Sequence, residues 1–243
     1  MLLAVDVGNT KIKAAVFEGS ELVAKYNFEA DDLDKTFKEI FTRHANIASA
    51  ILSSVGNSNE VLLEVLSEYT DVIVISHSSH FPFLNNYSTP HTLGIDRMVL
   101  AAGAVLQFPH RHRLVIDAGT CVTYDFITDG DYYLGGAISP GLRLRYESLH
   151  NFTAKLPLLS PELPLHYTGN STSQSIHSGV VNGLLNEIEG FISQYSEQYQ
   201  ELIIILTGGD ADFLAKRLKN TIFANSNFLL ESLNFLYTYT IKK

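Results

Sequence analysis

The sequence predicts a duplicated α/β fold with two domains of similar plan. Two short apolar strands each end in an acidic, glycine-containing turn, "LLAVDVGNTKIK" and "RLVIDAGTCVTYD". The two turns are 111 residues apart, from Asp6 to Asp117, and each opens a similar order of strands and helices. A chain of 243 residues is long enough for two domains of ordinary size, each with its own core.

The first half predicts three consecutive strands, followed by alternating helices and strands. "LLAVDV" is an apolar strand, and "KIKAAVFEGSELVAKYNFEA" divides into two strands at the turn signal Glu18-Gly19-Ser20. The acidic pair Asp31-Asp32 lies where a helix cap belongs. The helix after it, "LDKTFKEIFTRH", has apolar residues on one face: Leu33, Phe37, Ile40 and Phe41. The remaining elements are strand "ASAILSSV", helix "NEVLLEVLSEY", strand "DVIVIS" and helix "GIDRMVLAAGAVLQF".

The second half begins after the polar hinge "HRHR" and repeats the strand-turn-strand opening. "LVIDA" and "CVTYDFI" are strands, and the turn Asp129-Gly130-Asp131 leads to a third strand, "YYLGGAI". Residues 155–171 predict a long ordered loop, where functional residues often lie. The other predicted elements are helix "LRLRYESLHNF", a long helix at 173–199, strand "LIIIL" and a helix from Asp210 to Lys219.

Composition limits the possible partners and the compartment. The formal net charge is −9 and no Lys/Arg-rich run is present, so nucleic acid is not an expected partner. Cys121, the single cysteine, cannot form an internal disulfide, which is typical of a reducing compartment. The N-terminus resembles no secretion signal, and the apolar runs are shorter than a membrane span. We therefore expect a cytoplasmic protein without membrane association.

The two acidic turns have the chemistry of a nucleotide site. Glycine lets the backbone approach a ligand closely, and successive N–H groups can converge on phosphate. The aspartate adds an oxygen ligand, direct or through water, for the Mg²⁺ that accompanies phosphates. One such turn alone would more often be ordinary turn chemistry. Two copies at equivalent positions favour a pair of hairpins that hold a triphosphate across a cleft.

Three motifs resemble those of the actin, sugar kinase and Hsp70 superfamily. "DVGNTKIK" and "DAGTCVTYD" are similar to its two phosphate motifs, and "TGGDA", from Thr207 to Ala211, is similar to its adenosine motif. This last motif can equally be a plain strand-to-helix turn. The resemblance implies a duplicated RNase H-like (actin-like ATPase) fold, with a mixed sheet in each of two domains, 1–110 and 111–243, and a cleft between them.

A longer stretch resembles one branch of that superfamily. "YSTPHTLGIDRMVLAAGA", from Tyr87 to Ala104, is similar to the signature of type III pantothenate kinases, and "GGAISPGLRLRYESL" and "FTAKLP" match in order and spacing. The resemblance covers essentially the whole chain. It implies transfer of the γ-phosphoryl group of ATP to the 4′-hydroxyl of pantothenate, the first step toward coenzyme A.

The resemblance also implies roles for individual residues. Asp96 would be the catalytic general base, Asp6 would hold Mg²⁺ through water, and Asp117 would bind a monovalent cation, K⁺ or NH₄⁺. Residues implied to bind pantothenate are Tyr87, Gly94, Ile95, Asp96, Arg97 and Thr172. Residues implied to shape the ATP phosphate site are Asp6, Val7, Gly8, Asn9, Thr10, Lys11 and Thr120.

Several of these residues have a second interpretation. Asp96 could complement a helix dipole, and Arg97 could form a surface ion pair. Thr172 could be a helix cap, as could Ser171 and Ser173. The chain departs from the family at Ser171, where Asn is common, and at Cys121, where a smaller or hydroxylated residue is usual. Neither departure removes a charge that the chemistry needs.

The resemblance further implies a homodimer with the active site near the interface. The apolar face of helix 94–107 is a candidate contact surface, although a core helix has the same pattern: Ile95, Val99, Ala102 and Leu106. Two other functions remain open. One is another small-molecule kinase or phosphohydrolase of the same fold, and the other is a non-catalytic nucleotide-binding regulator.

Overall fold

Two compact units make up the chain. The computed structural model describes residues 1–8, 11–54 and 59–241. The first unit comprises 1–109 and 227–243, and the second comprises 110–226. Asn9 and Thr10, which the sequence places in the phosphate site, lie outside the described residues.

A five-stranded mixed sheet forms the core of the first unit. Its order is β3-β2-β1-β4-β5, with β1 antiparallel to β2 and parallel to β4. β1 is central and all six of its residues are buried, which explains why "LLAVDV" is a continuous apolar run rather than an alternating one. The strands are β1 (Leu2–Val7), β2 (Ile12–Glu18), β3 (Glu21–Phe28), β4 (Ser49–Ser54) and β5 (Asp71–Val74).

Helices and one short strand complete the first part of this unit. In the helix predicted from "LDKTFKEIFTRH", Leu33, Phe37 and Ile40 are buried, as its apolar face predicts. Short 3₁₀ turns at Ala30–Asp32 and Pro90–Thr92 precede two of the helices. The elements are α1 (Leu33–Arg43), α2 (Asn59–Ser67), the short strand β6 (Leu84–Asn85) and α3 (Ile95–Gln107).

The second unit repeats the sheet plan of the first. Its own strands run in the order β11-β10-β7-β8-β9, with β7 antiparallel to β8 and parallel to β10. The predicted helix at 173–199 contains a π-helical segment, Ser178–Asn182, between α5 and α6. The elements are β7 (Arg113–Ala118), β8 (Cys121–Ile127), β9 (Tyr132–Pro140), α4 (Leu142–Asn151), α5 (Thr172–His177), α6 (Gly183–Gln198), β10 (Ile203–Thr207), α7 (Ala211–Ala215) and β11 (Phe223–Ala224).

Equivalent strand registers confirm the predicted duplication. Asp6 on β1 lies opposite Lys13 on the antiparallel strand and Ser53 on the parallel strand. Asp117 on β7 lies opposite Thr123 and Thr207 in the same two directions. Each aspartate therefore occupies the same place in its sheet, one residue before the end of the first strand, with a hydroxyl residue beside it on the parallel neighbour.

The last helix, α8 (Phe228–Ile241), belongs to the first unit. It packs on α3 so closely that a Cβ atom at Gly103 would lie 1.9 Å from the Oγ of Ser232. The second unit therefore ends at residue 226, whereas the predicted second domain extends to residue 243, because residues 227–243 pack with the first unit.

The apolar face of α3 is covered within the chain itself. Val99 and Ala102 have no exposed surface and Ile95 is 9% exposed. Leu106, the fourth residue of this face, is half-buried. The burial of the other three favours the alternative of a core helix over a contact surface between subunits. Within the described part of the chain, no helix has both the length and the apolar character needed to cross a bilayer.

Candidate active site

Asp6 is a buried carboxylate in the central strand of the first unit. It is only 5% exposed, and the Oγ of Ser53 on β4 donates a hydrogen bond of 2.8 Å to its Oδ1. Lys13 lies opposite it on β2. The parallel pairing of β1 and β4 sets this contact, because it places the two strand ends side by side.

Burial dominates the electrostatics of Asp6. Its pKa is raised from 3.8 to about 6, because desolvation by burial outweighs the Ser53 hydrogen bond and the charge of Lys13, which both lower the pKa. The charge of Asp96 also contributes to the raised pKa, so Asp96 is close enough to interact. The structure thus brings the proposed metal-binding residue and the proposed base together in one unit. A cation at Asp6 would favour the ionised carboxylate.

The connection between β1 and β2 follows Asp6, and its described residues include Val7, Gly8 and Lys11. Gly8 N–H donates to the carbonyl oxygen of Lys11 at 3.2 Å, and a Cβ atom at Gly8 would lie 3.3 Å from the same oxygen. Val7, Gly8 and the exposed Lys11 line a cavity of about 570 Å³. The described part of this turn is therefore tight and adjoins open space. The rest of that cavity is lined by residues around α1 and α2, among them Asp31 and Asp34.

Asp96 lies in the first turn of α3, where its carboxylate folds back over the helix start. Its Oδ1 accepts a 2.8 Å hydrogen bond from Arg97 N–H. Gly94 is the N-cap residue, and a Cβ atom there would lie 2.4 Å from Asp96 Oδ1. A side chain at position 94 would therefore displace the Asp96 carboxylate, although the φ of −57° suits any residue.

Replacing Gly94 with alanine should displace the Asp96 carboxylate without unfolding the helix. Alanine accepts the backbone angles at this position, but its methyl group needs the space that Asp96 Oδ1 occupies. We expect kcat to fall about tenfold or more, with little change in the melting temperature. Gly190→Ala in α6 is the matched control, because nothing lies within 4 Å of a Cβ atom there. Unchanged kcat in Gly94→Ala would contradict this positioning of Asp96.

Arg97 and Tyr87 lie beside Asp96 at the start of α3. Arg97 is 6% exposed, and its Cζ lies 5.8 Å from the centroid of the Tyr87 ring. The alternative of a surface ion pair therefore does not fit Arg97. Ile95 is also buried, at 9% exposed. The structure brings Tyr87, Gly94, Ile95, Asp96 and Arg97 together around the start of α3, as the sequence predicts.

In the second unit, Asp117 lies against the start of the "TGGDA" motif. Gly208 has φ of +95°, and a Cβ atom there would lie 2.4 Å from Asp117 Oδ1 and 2.3 Å from the carbonyl oxygen of Ala118. Asp210 N–H donates to the same carbonyl at 2.9 Å, and burial raises the pKa of the Asp210 carboxyl. The motif is thus a strand-to-helix turn that also packs directly on the residues around Asp117.

Thr120 lies in the second hairpin turn, residues 118–121. Gly119 N–H donates to the carbonyl oxygen of Cys121 at 2.9 Å, and the side chains of Thr120 and Cys121 are exposed. The exposed Thr120 hydroxyl is therefore accessible to a ligand.

Thr172 is the first residue of α5 and lies in the second unit, unlike the other predicted pantothenate residues. The helix cap is Ser171, whose Oγ accepts from Gln174 N–H at 3.3 Å. Thr172 is exposed and lines a cavity of about 780 Å³ together with Ile176 and Gly179. The capping role thus belongs to its neighbour.

Comparison with known proteins identifies the family. The model of the type III pantothenate kinase family matches residues 2–194. The chain belongs to the type III pantothenate kinase family. A curated relative of that name from Flavobacterium johnsoniae is 59% identical over 241 residues and 99% of each chain is covered. Another, from Azobacteroides pseudotrichonymphae, is 33% identical, with 100% of this chain and 98% of the relative covered.

Solved structures share the fold at low identity. A Campylobacter jejuni protein described as a Baf family transcriptional activator has a TM-score of 0.68 and 19% identity, covering 99% of this chain and 100% of that one. A ROK family glucokinase from Streptomyces griseus in complex with glucose and AMPPNP has a TM-score of 0.54 and 11% identity, with 100% and 99% covered. These likenesses concern the fold alone, and they confirm the predicted duplicated actin-like fold of this type III pantothenate kinase family member.

Family membership implies ATP and a divalent metal, and Asp6 suits such a metal. Among residues 1–8, 11–54 and 59–241, no group of three His, Cys, Asp or Glu side chains could hold a metal ion by itself. Mg²⁺ normally takes one or two carboxylates, waters and substrate phosphates rather than a complete protein cage. A single buried carboxylate beside a glycine-containing turn fits that requirement.

Sequence reasoning missed several residues around this site of the kinase. Ser53 is a hydroxyl at the end of an apolar strand, and it could have been found by assuming that β1 and β4 are parallel. Gly141 packs against the second hairpin turn, where a Cβ atom would lie 2.0 Å from the carbonyl oxygen of Gly119. Arg145 and Glu187 form an ion pair of 2.6 Å between α4 and α6. No pattern in the sequence pairs these last two residues.

Proposed function

We propose that this protein transfers the γ-phosphoryl group of ATP to the 4′-hydroxyl of pantothenate. Family membership supports the reaction. The observation that carries the mechanism is the Asp96 carboxylate at the start of α3, within electrostatic reach of Asp6. Phosphoryl transfer needs alignment and charge neutralisation, together with one group that accepts the hydroxyl proton.

Asp96 is the general base in this proposal. Its Oδ1 is held by Arg97 N–H at 2.8 Å, so Oδ2 is the atom that accepts the proton of the 4′-hydroxyl. As the oxygen–phosphorus bond forms, the bond between the γ-phosphorus and the bridging oxygen breaks and ADP leaves. Gly94 leaves the space in which this carboxylate is held.

Arg97 binds the carboxylate of pantothenate in this proposal. A planar guanidinium suits a carboxylate because it can donate two parallel hydrogen bonds. The low exposure of Arg97 strengthens such a pair, and its cation–π contact with Tyr87 orients the guanidinium. Tyr87, Gly94 and Ile95 shape the rest of this contact, and Thr172 contributes a hydroxyl.

The two hairpin turns contact the phosphates of ATP. In the first, Val7, Gly8 and Lys11 would bind phosphate together with Asn9 and Thr10, which lie outside the described residues, and Asp6 would hold Mg²⁺ through water. When bound, Mg²⁺ offsets the negative charge that the phosphates carry. In the second, the exposed hydroxyl of Thr120 donates to a phosphate oxygen.

Asp117 binds K⁺ or NH₄⁺ in this proposal, together with the nearby carbonyl oxygen of Ala118. Both oxygens lie beside the position where a Cβ atom on residue 208 would be. Asp117→Ala should abolish the stimulation of activity by K⁺, measured as initial rate against K⁺ concentration at constant ionic strength. The control is Asp129→Ala, which removes an exposed carboxylate of the same unit. If K⁺ stimulates Asp117→Ala as strongly as the wild type, Asp117 does not bind the monovalent cation.

We also propose a cytoplasmic homodimer. Large apolar side chains of the second unit are exposed, among them Phe152 and Leu165 at 87% and Tyr167 at 70%. Such residues are common at interfaces between subunits. Size-exclusion chromatography with light scattering would give a mass of two chains if this holds.

Pantothenate-dependent release of ADP tests the proposed function and its rivals. Purified protein is incubated with ATP, Mg²⁺ and K⁺, and ADP is followed with and without pantothenate. Release only with pantothenate supports the kinase. Equal release without an alcohol would indicate a phosphohydrolase, release only with another alcohol such as glucose would indicate a different kinase, and ATP binding without release would indicate a regulator.

A further inference from the structure

A polar cluster lies behind the second hairpin turn and joins four elements of the second unit. It consists of Tyr124 on β8, Ser139 on β9, Arg145 on α4 and Glu187 on α6, and we call it the brace. Glu187 is its centre, accepting hydrogen bonds from Arg145 Nη2 at 2.6 Å, Ser139 Oγ at 2.5 Å and Tyr124 OH at 2.8 Å. None of the roles assigned above uses these residues.

The brace is shielded from solvent. The side chains of Arg145 and Glu187 are only 20% and 25% exposed, and Tyr124 has no exposed surface. Burial raises the pKa of Glu187, but the hydrogen bonds from Ser139, Arg145 and Tyr124 outweigh it and hold this pKa below its usual value. Shielded ion pairs with several hydrogen bonds fix geometry more firmly than exposed pairs do.

Arg145 connects the brace to the second hairpin turn through two backbone contacts. Its Nε donates to the carbonyl oxygen of Pro140 at 2.7 Å. Gly141, which follows Pro140, donates its N–H to the carbonyl oxygen of Thr120 at 3.0 Å. Gly141 also approaches Gly119 so closely that a Cβ atom on Gly141 would lie 2.0 Å from the carbonyl oxygen of Gly119. The Pro140-Gly141 backbone therefore lies directly against the turn that contains Thr120.

We propose that Arg145 and Glu187 are positioning residues that hold the second hairpin turn in the conformation that contacts ATP phosphate. They act through Pro140 and Gly141 and do not touch the substrate. This inference rests on the proposed function, because it assumes that Thr120 contacts ATP. Loss of the brace should weaken ATP use more than pantothenate use, since all the residues proposed to bind pantothenate except Thr172 belong to the other unit.

The same helix offers a matched control. Arg143 and Glu147 also form an ion pair of 2.6 Å on α4, but their side chains are 74% and 31% exposed. An exposed pair of this kind contributes little to stability or geometry. Arg143→Met thus removes the same charge from the same helix without touching the brace.

The experiment compares Arg145→Met, Glu187→Gln, Arg145→Lys and Arg143→Met with the wild type. Each variant is assayed for KM of ATP, KM of pantothenate and kcat, and its binding of a fluorescent ATP analogue is titrated directly. We expect KM for ATP and the dissociation constant of the analogue to rise about fivefold or more in Arg145→Met and Glu187→Gln. KM for pantothenate should stay within about twofold of wild type. Arg145→Lys keeps a charge but not the planar guanidinium, so its KM for ATP should lie between those of the wild type and Arg145→Met. The KM for ATP of Arg143→Met should equal that of the wild type.

Three outcomes would overturn the inference. One is a KM for ATP in Arg145→Met and Glu187→Gln equal to that of Arg143→Met. The second is an equal rise of both KM values, which indicates only a general loss of structure. The third concerns the case in which Arg145→Met does not fold. Arg145→Lys then replaces it in the comparison, and a KM for ATP in Arg145→Lys equal to that of the wild type contradicts the inference. A wild-type protein that binds the analogue but does not phosphorylate pantothenate would instead refute the proposed function.

Discussion

Asp96→Asn should lower kcat by about a hundredfold or more, the usual range for removal of a general base, while ATP binding stays nearly unchanged. Asparagine keeps the size of the side chain and an oxygen that can accept from Arg97 N–H, the contact seen at 2.8 Å. It cannot accept the proton of the 4′-hydroxyl. The measurement is kcat for pantothenate together with the dissociation constant of an ATP analogue.

The control for this prediction addresses the helix dipole. Asp212 is an exposed acidic residue in the first turn of α7, so Asp212→Asn also removes a negative charge from a helix start. We expect that variant to keep full activity. If Asp96→Asn keeps its activity as well, Asp96 contributes only a helix charge and another group accepts the proton.

Asp6→Asn should produce a protein that is inactive yet more stable than wild type. Burial raises the pKa of Asp6 from 3.8 to about 6, so the ionised form is unfavourable in the folded protein. The folded state therefore binds more protons than the unfolded state between these two values, and stability falls as the pH rises from about 4 to 6. Above pH 6 the full cost remains, about 3 kcal/mol for a shift of this size.

Urea unfolding without nucleotide or divalent metal measures this effect. At about pH 7.5, Asp6→Asn should be more stable than wild type by up to about 3 kcal/mol, and the difference should fall to about half near pH 5. Asparagine retains an oxygen for the Ser53 hydroxyl, so the hydrogen bond at this position survives. The control is Asp71→Asn in the same sheet, where the carboxylate is exposed. A destabilised or fully active Asp6→Asn would contradict the account of this residue.

Local patterns were sufficient to predict the duplicated fold. Apolar runs ending at Asp6 and Asp117 identify the central strands, because a strand buried on both faces has no polar alternation. The position of α8 could not be predicted in this way. Its contact with α3 joins Gly103 to Ser232, residues far apart in the chain, and depends on the missing side chain of Gly103, which allows close helix packing.

The residues proposed to carry the chemistry could be nominated from the sequence, whereas the residues that support them could not. Asp6 belongs to a turn motif whose residue types indicate a nucleotide site, and Asp96 belongs to a stretch that resembles the family signature. Ser53 and Glu187 do not, since each acquires its partner only when strands and helices distant in sequence pack together. The π-helical segment before α6 has no signal in the sequence either.

Mass spectrometry of the reaction product tests the central claim most directly. The purified protein is incubated with ATP, Mg²⁺, K⁺ and pantothenate as the only alcohol substrate, and Asp96→Asn is treated in parallel. The account predicts 4′-phosphopantothenate and ADP in equal amounts from wild type, and little of either from the variant. Consumption of ATP without phosphopantothenate, or equal product from both proteins, would contradict it.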